Sequence, residues 1–353
     1  MHKYKTEGVV PRYLLEKLAR EGNDKAKKSI EQERVTPKKK KKNEEQPSLA
    51  TPEEPLATSR EHIPARHIYD SQGQVDNDKL VRDEGDPPTN DEDVNRVYDF
   101  SKITLDYYKK ILNRNSIDDR GMDLKFFVHY DHLFNARWNE EEEVMQFGDG
   151  DGKDILNFTA ALDVIAHEMS HGVTQYTAQL VYSEQSGALN EHFSDVIGSA
   201  VKQHANGQNA LNADWLIGDK IIGPEFNGIA LRSMKNPGTA FEGDPQPDHM
   251  RNYKNMPVTK AGDYGGVHIN SGIPNKAFYL VSKEIGTDNA AILWYTAWND
   301  RQHLHAESQF KDAFEGILKA AQTLTNQGKM PQNTVEAVKK AFSEVGIYSP
   351  ATV

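Results

Sequence analysis

The sequence predicts an α+β fold with a β-rich N-terminal lobe, an all-α C-terminal lobe, a cleft between the two lobes, and a short appendage before them. Between residues 60 and 160, strand-like and helical segments alternate with Asp- and Gly-rich turns. After Ala160 helical periodicity dominates. Residues 25–55 differ from both lobes, because they consist largely of Lys, Glu, Pro and Ser, a composition that buries no core.

The appendage combines a short helix with a polar linker. Apolar residues recur at helical spacing over 9–20, where Pro11 is suited to open a helix. Residues 25–55, with five consecutive lysines at 38–42, are predicted to be a mobile linker that proteases cut readily.

The remaining elements follow from periodicity and turn residues. Residues 93–112 are predicted to be a helix and 125–130 and 143–148 to be strands. Beyond Ala160 the pattern predicts six helices, at 160–177, 188–205, 275–285, 288–300, 307–325 and 332–345.

Charge and composition exclude several function classes. Residues 1–50 carry 14 Lys and Arg against 8 Asp and Glu, a net charge of +6, while the whole chain of 353 residues carries −11, so the remainder carries −17. A body this acidic argues against nucleic acid as a partner. The absence of cysteine excludes disulfides and thiolate metal sites. We expect no membrane partner, since no apolar run approaches the roughly 18 residues of a span.

Two histidines in the run HEMSH predict a metal site. His167 and His171 are four residues apart, so both imidazoles lie on one helix face and reach one ion about 2 Å away. Glu168 follows His167 directly and comes near the open side of that ion, where a carboxylate can deprotonate a water. Such a short motif also occurs by chance, so a third ligand is needed.

A second predicted helix supplies that ligand. Glu191 and Asp195 are four apart on one face of it. Two His and one Glu leave the fourth position open, which is typical of catalytic rather than structural zinc. Asp195 is placed to accept the free ring N–H of a histidine ligand, and Asn190 to do the same. The alternative for Glu191 alone is a solvated helix carboxylate.

The run HEMSHGVTQYTAQLVYSEQSGALNEHFSD resembles the zinc site of the thermolysin family, in which nineteen residues separate the second His from the Glu ligand, as they do here. The match extends in family order to FNARWN (134–139), GDGDG (148–152), LRSM (231–234) and GDYGGVHINSG (262–272), and covers roughly residues 60–350. It implies a two-lobed thermolysin-like metalloprotease fold, α+β, with the active site in the cleft.

The resemblance also implies a role for each matching residue. His167, His171 and Glu191 bind one catalytic zinc, and Glu168 is the general base that later delivers a proton to the leaving amine. The other implied roles are oxyanion stabilisation by His268 and Tyr182, orientation of His268 by Asp263, carbonyl binding by Arg232, and main-chain binding by Asn135 and the backbone of Ala136.

The resemblance further implies an endopeptidase that acts on peptides and proteins and cleaves on the N-terminal side of bulky hydrophobic residues. Val164 and Leu231 match pocket residues of the family, and Ile155 and Phe158 fall where apolar pocket walls are expected. For Ile155 and Phe158, simple core packing is the alternative.

One departure concerns calcium. Lys202 stands where many members of the family place a carboxylate of a paired calcium site, and Leu216 replaces another acid. An ammonium repels a cation that needs six to eight oxygen ligands. We therefore expect the paired site to be lost, with Lys202 pairing instead with Asp163, Asp214 and Asp219, while one calcium elsewhere is left open.

The appendage also departs from most of the family and resembles the short propeptide of a protealysin-like branch, with Val10-Pro11-Arg12-Tyr13-Leu14-Leu15 in place of that branch's motif. Three units are expected: a propeptide and basic linker (1–50), an N-terminal catalytic lobe (51–182) and a C-terminal helical lobe (183–353). The propeptide is expected to dock on the catalytic body as an intramolecular inhibitor; a tail that only aids folding is the alternative. Because residues 1–20 lack the apolar centre of a signal peptide, we expect a cytoplasmic precursor, with non-classical secretion left open.

Two other functions compete with the endopeptidase. A zinc aminopeptidase shares the His and Glu ligands, but usually carries a Gly-x-Met-Glu-Asn segment that is absent from this sequence. A catalytically silent binding protein is the second alternative, although Glu168, Tyr182, Asp263 and His268 are all present.

Overall fold

The structure is a computed structural model that describes residues 6–35, 62–74, 78–130 and 133–349. The N-terminal segment forms two helices, α1 (Arg12–Arg20) and α2 (Asp24–Val35). The prediction of a mobile linker from residue 25 is wrong for residues 25–35, which belong to α2. Asn23 Oδ1 accepts from the backbone N–H of Ala26 at 2.9 Å, and Ala26 and Ile30 are buried one turn apart. The rest of the predicted linker lies outside the described residues.

A five-stranded sheet forms the core of the N-terminal lobe. Its strands are β1 (Arg66–Asp70), β2 (Lys79–Arg82), β3 (Leu124–Val128), β4 (Ala136–Asn139) and β5 (Val144–Phe147), in the order β2-β1-β3-β5-β4. The three central strands are parallel, and β2 and β4 are antiparallel at the edges. The helix α3 (Glu92–Lys110) links β2 to β3 and is capped by the Asp91 side chain. The edge strand β4 leaves its outer side open to another segment.

Two buried helices pack on each other beside this sheet. They are α4 (Leu162–Tyr176), which carries HEMSH, and α5 (Glu184–Ala205), which carries Glu191. They run antiparallel, because Asp163 at the start of α4 lies beside Lys202 near the end of α5, while His171 lies beside Asn190.

The C-terminal lobe is built of five further helices, α6 (Asp263–Asn270), α7 (Gly272–Ile285), α8 (Thr287–Trp298), α9 (Phe310–Asn326) and α10 (Thr334–Glu344). It also contains a two-stranded ribbon, β6 (Leu216–Ile217) with β7 (Arg232–Ser233). The predicted helices and the two predicted strands are present with ends that shift by up to four residues. The helix α6 and the strands β1, β2, β4, β6 and β7 were not predicted. No helix among the described residues is long and apolar enough to cross a membrane.

Candidate active site

Three side chains from the two buried helices converge on one point. His167 Nε2 and His171 Nε2 are 3.1 Å apart, and the Glu191 carboxylate lies 3.3 Å from the first and 3.4 Å from the second. All three residues are at most 1% exposed. The predicted trio of His167, His171 and Glu191 is therefore assembled in space.

The outer ring nitrogens of the two histidines are engaged elsewhere. Asp195 Oδ1 lies 2.9 Å from His167 Nδ1, and Asn190 Oδ1 lies 2.8 Å from His171 Nδ1. Both acceptors are oxygens, so each Nδ1 carries a proton and each Nε2 presents its lone pair. Lone pairs that face each other at 3.1 Å repel unless a cation lies between them. Glu191 Oε2 is buried and has no hydrogen-bond partner among the described residues. Two imidazole lone pairs and one buried carboxylate oxygen form a donor set that fits zinc.

Asp195 also binds Arg232. The guanidinium donates from Nε to Asp195 Oδ2 and from Nη2 to Oδ1, each at 2.8 Å, and both residues are fully buried. Burial alone would raise the pKa of Asp195, but Arg232 and the bond from His167 hold it well below its usual range. Local spacing could not predict this pair, because 37 residues separate its members.

Glu168 faces the same space from the next position on α4. Its Oε2 accepts from the backbone N–H of Trp138 at 2.8 Å, and its Oε1 accepts from the N–H of Val9 at 3.1 Å. Burial, helped by the negative charge of Glu191, raises the pKa of Glu168 to about 8, against the opposing effect of His167. A carboxyl group with a pKa in this range can both take up and release a proton near neutral pH.

His268 and Tyr182 lie on the other side of Glu191. The Tyr182 hydroxyl donates to Glu191 Oε1 and lies 3.3 Å from His268 Nε2. Asp263 accepts from His268 Nδ1 at 2.6 Å and from its backbone N–H at 2.8 Å. Burial lowers the pKa of His268, but Glu191 and Asp263 outweigh it and raise the pKa to about 9. His268 is therefore a proton donor at neutral pH.

An unusual backbone makes the contact between Asp263 and His268. All four residues from 263 to 266 have positive φ, with 54° at Asp263 and 90° and 80° at Gly265 and Gly266. The two glycines adopt this conformation without steric cost. The left-handed run places the Asp263 carboxylate over the N–H groups that open the regular part of α6.

The N-terminal segment runs through this site. The N–H of Val9 donates to Ala136 O at 3.1 Å, and the Val9 carbonyl accepts from Arg232 Nη1 at 2.8 Å. Asn135 brackets Val10, accepting from its N–H and donating to its carbonyl, each at 2.9 Å. A Cβ on Gly8 would lie 2.1 Å from Ala136 O, so only glycine lets the chain approach β4 this closely.

The predicted pocket residues are all fully buried. Val164, Leu231, Ile155 and Phe158 have no exposed surface and belong to the same apolar cluster as Val9. Val9 is also fully buried, and its backbone binds Glu168, which lies one helical turn after Val164, and Arg232, which follows Leu231 in the sequence.

Lys202 lies away from these residues, where the start of α4 meets the end of α5. Its ammonium is 2.6 Å from Asp219, 3.2 Å from Asp214 and 3.3 Å from Asp163, and it donates to the carbonyl of Leu216 at 2.9 Å. The prediction that Lys202 pairs with these three carboxylates is confirmed. The carboxylates in turn raise the pKa of Lys202 above its usual value despite burial.

Comparison with known proteins agrees with this geometry. Residues 38–175 match the family described as thermolysin metallopeptidase, catalytic domain, and residues 178–347 match its alpha-helical domain. The chain is 39% identical over 354 residues to an extracellular metalloprotease of Pectobacterium carotovorum, covering 96% of each chain. It is 41% identical over 292 residues to Protease PrtS of a Photorhabdus species, covering 80% of this chain and 76% of the relative.

A solved structure is similar over nearly the whole chain. It is the precursor of protealysin, a metalloproteinase from Serratia proteamaculans, with a TM-score of 0.82 and 34% identity. The similarity covers 97% of this chain and 100% of that structure, so it includes the N-terminal segment as well as the two lobes.

Proposed function

The chain belongs to the thermolysin family of metallopeptidases, and from that premise we propose how its residues carry out peptide hydrolysis as a zinc endopeptidase. The observation that carries the proposal is the convergence of His167, His171 and Glu191 on one point. The Oε2 atom of Glu191 is buried there and has no hydrogen-bond partner among the described residues. These three residues would hold a zinc ion, which would polarise a peptide carbonyl and make a nearby water more acidic. Asp195 and Asn190 hold the two imidazoles in the tautomer that can bind it.

Glu168 moves the proton in this mechanism. The Val9 N–H, 3.1 Å from Glu168 Oε1, indicates where the amide nitrogen of a substrate lies. Glu168 takes a proton from water and then delivers it to that nitrogen as the amine leaves. His268 Nε2 and the Tyr182 hydroxyl lie together beside the metal ligands and donate to the developing oxyanion. Asp263 keeps the His268 ring in place for that bond.

Substrate binding follows the contacts of the N-terminal segment. Arg232 donates to the carbonyl of the first residue after the cleaved bond, and the carbonyl of Ala136 accepts from the N–H of that same residue. Asn135 binds the N–H and the carbonyl of the second residue after the cleaved bond. The N-terminal segment presents the apolar side chain of Val9 here, fully buried, with its backbone bound to Glu168, one helical turn after the buried Val164, and to Arg232, next to the buried Leu231. Cleavage on the N-terminal side of Leu, Phe, Ile and similar residues is therefore expected.

Mapping of cleavage sites tests this activity. Peptides with blocked N-termini would be incubated with protein cleaved in the predicted linker, with Glu168→Ala and with a chelator-treated sample. The products would be identified by mass spectrometry. Cuts before Leu, Phe or Ile that vanish in both controls are expected. An aminopeptidase would fail on blocked peptides, and a silent binding protein would yield no cuts from folded, zinc-loaded protein.

The N-terminal segment acts as an intramolecular inhibitor in this proposal. It uses the groups assigned to substrate, namely Arg232, Asn135 and the backbone of Ala136, and its Val9 N–H binds the general base. A substrate and this segment cannot occupy those groups together. Cleavage of the chain between the segment and the lobes would then let it dissociate.

Point variants of the full chain test the inhibition. Val9→Asp places a charge in an apolar site beside Glu168, so we expect peptide hydrolysis to rise before any cleavage of the predicted linker. Lys28→Asp, at an exposed position of α2, is the control and should leave the precursor inactive. An unchanged rate for Val9→Asp would contradict inhibition by this segment.

Calcium and location complete the proposal. Lys202 occupies the centre of three carboxylates, which leaves no room for the paired calcium ions expected in many members of the family.

The Pectobacterium relative is named an extracellular metalloprotease, and we propose that this chain also acts outside the cell.

A further inference from the structure

Three buried residues outside the catalytic groups form a chain of hydrogen bonds that ends on Asp195. Trp294 Nε1 donates to His192 Nε2 at 2.6 Å, His192 Nδ1 lies 2.7 Å from Asn275 Oδ1, and Asn275 Nδ2 donates to Asp195 Oδ2 at 2.9 Å. None of the three is more than 1% exposed. The chain joins α8, α5 and α7 behind the metal ligands.

The chemistry of Trp294 fixes the direction of every bond in this chain. An indole N–H can only donate, so His192 Nε2 must be unprotonated and the ring proton lies on Nδ1. That proton is donated to Asn275, whose amide must therefore turn its oxygen to His192 and its NH₂ to Asp195. Each donor points towards the carboxylate, and reversing any one of them would leave two acceptors or two donors facing each other.

Asp195 is fully bonded as a result. Its Oδ1 accepts from His167 Nδ1 and Arg232 Nη2, and its Oδ2 accepts from Arg232 Nε and Asn275 Nδ2. Arg232 binds both oxygens, so Asn275 is the additional donor on Oδ2, the oxygen that His167 does not use. Loss of that donor would let the carboxylate turn and carry the His167 ring with it.

We propose that Trp294, His192 and Asn275 are positioning residues that act through Asp195 to fix the ring of His167 for zinc binding. The inference rests on the zinc site proposed above. The role differs from core packing, because it depends on the orientation of an amide and the tautomer of a buried imidazole.

The protein contains a second buried tryptophan that serves as a matched control for that distinction. Trp298 is as buried as Trp294, and the ring of each lies 6.1 Å from the His192 ring in an edge contact. Trp298 Nε1 has no hydrogen-bond partner among the described residues. Trp294→Phe removes the pyrrole part of the indole and with it the bond to His192, whereas Trp298→Phe removes the same atoms and no bond.

The experiment measures zinc affinity in the full-length protein by competition with a chromophoric chelator. Asn275→Leu is expected to weaken zinc binding about 10-fold, at the lower end of what partners of metal ligands contribute. Trp294→Phe, which acts from two hydrogen bonds further away, is expected to weaken it less, about three-fold. Trp298→Phe should bind zinc as the parent does. Cobalt-substituted protein gives a second readout, because its visible spectrum reports ligand geometry and should change for Trp294→Phe but not for Trp298→Phe.

Thermal unfolding of the metal-free proteins separates folding from positioning, since it shows whether each variant is folded at the temperature of the zinc titration. Trp294→Phe is expected to lose more stability than Trp298→Phe, because His192 Nε2 is left without its donor. Equal zinc affinities and equal cobalt spectra for the two Trp variants would overturn the inference, even if Asn275→Leu did not fold. Failure of the parent to bind zinc would instead contradict the proposed metal site itself.

Discussion

Acidic side chains gather at two places along the helices α4 and α5, and the two places differ in the cation that neutralises them. At one end, Lys202 places its ammonium among Asp163, Asp214 and Asp219. In the middle of the same helices, Glu191 meets two imidazole lone pairs and keeps one oxygen without a partner among the described residues. Buried carboxylates require a positive partner. A site completed by its own lysine is therefore structural, whereas a site in which a buried carboxylate oxygen lacks a partner is suited to a metal ion.

Exchanging the central charge in each group should separate activity from stability. Glu191→Gln removes the anionic ligand, so we expect zinc binding to fall steeply and peptide hydrolysis to drop at least about 100-fold. Lys202→Met lies outside the metal site and should keep zinc affinity within about three-fold of the parent. Zinc content after dialysis and hydrolysis of a blocked peptide check both. A zinc-free Lys202→Met protein that is folded would contradict the separation.

The loss of Lys202 should appear as lost stability instead. Asp163 is 1% exposed and would remain buried without its cation, so Lys202→Met should lower the free energy of unfolding by about 3–5 kcal/mol. Lys220→Met is the control, because Lys220 binds the other oxygen of Asp219 at 3.1 Å but is 71% exposed. It should cost less than about 1 kcal/mol. Urea unfolding measures both values, and equal losses would contradict the assignment.

The pH dependence of that loss has a defined sign. Burial already raises the pKa of Asp163 in the parent, against the effect of Lys202, so removing Lys202 raises it further. A carboxyl group whose folded pKa is raised binds more protons when folded, and the folded state loses stability as pH rises through that pKa. The difference between parent and Lys202→Met should therefore be larger at pH 8 than at pH 5. The opposite trend would show that Asp163 is not the uncompensated charge.

Calcium provides a smaller effect at the same place. Lys202→Glu turns the group into four carboxylates, which repel one another unless a divalent cation binds them. We expect added calcium to raise the melting temperature of Lys202→Glu by several degrees more than that of the zinc-loaded parent. An equal rise in the two proteins would place any calcium elsewhere and contradict the view that Lys202 replaces the ion.

The sequence predicted the parts of these two groups that local spacing controls. His167 and His171 share a helix face because they are four apart, and Glu191 lies on the next helix, so their meeting could be anticipated. The pairing of Lys202 with three aspartates was also anticipated, from the resemblance and the need of a buried charge for a partner. Contacts that depend on distant segments, such as Arg232 with Asp195, had no local signal.

Backbone conformation explains the other differences. The left-handed run that begins at Asp263 has no periodicity, so α6 was not predicted. The strand β4 has four residues and lies at a sheet edge, which is too short for a clear alternating pattern. For α2 the composition was misleading, because Lys and Glu favour helices as well as linkers, and docking of Ala26 and Ile30 decides between them.

A third acidic group has a central cation that can lose its charge, and it provides the last and smallest effect. His129 lies 2.8 Å from Asp149 and 3.0 Å from Asp91, with Asp93 at 4.0 Å, and its side chain is 23% exposed. The hydrogen bond to Asp149 is the main cause that raises the pKa of His129 to about 10, against the effect of burial. The stabilisation of the folded state by charged His129 is therefore complete below the unfolded pKa of about 6.5, and it is lost as pH rises through the folded pKa of about 10. His129→Gln should cost about 1–2 kcal/mol at pH 6 and little near pH 10, as urea unfolding at the two pH values would show. A difference that did not change with pH would mean that packing, rather than the charge of His129, holds this group together, and the contrast between internal cations would then apply to Lys202 alone.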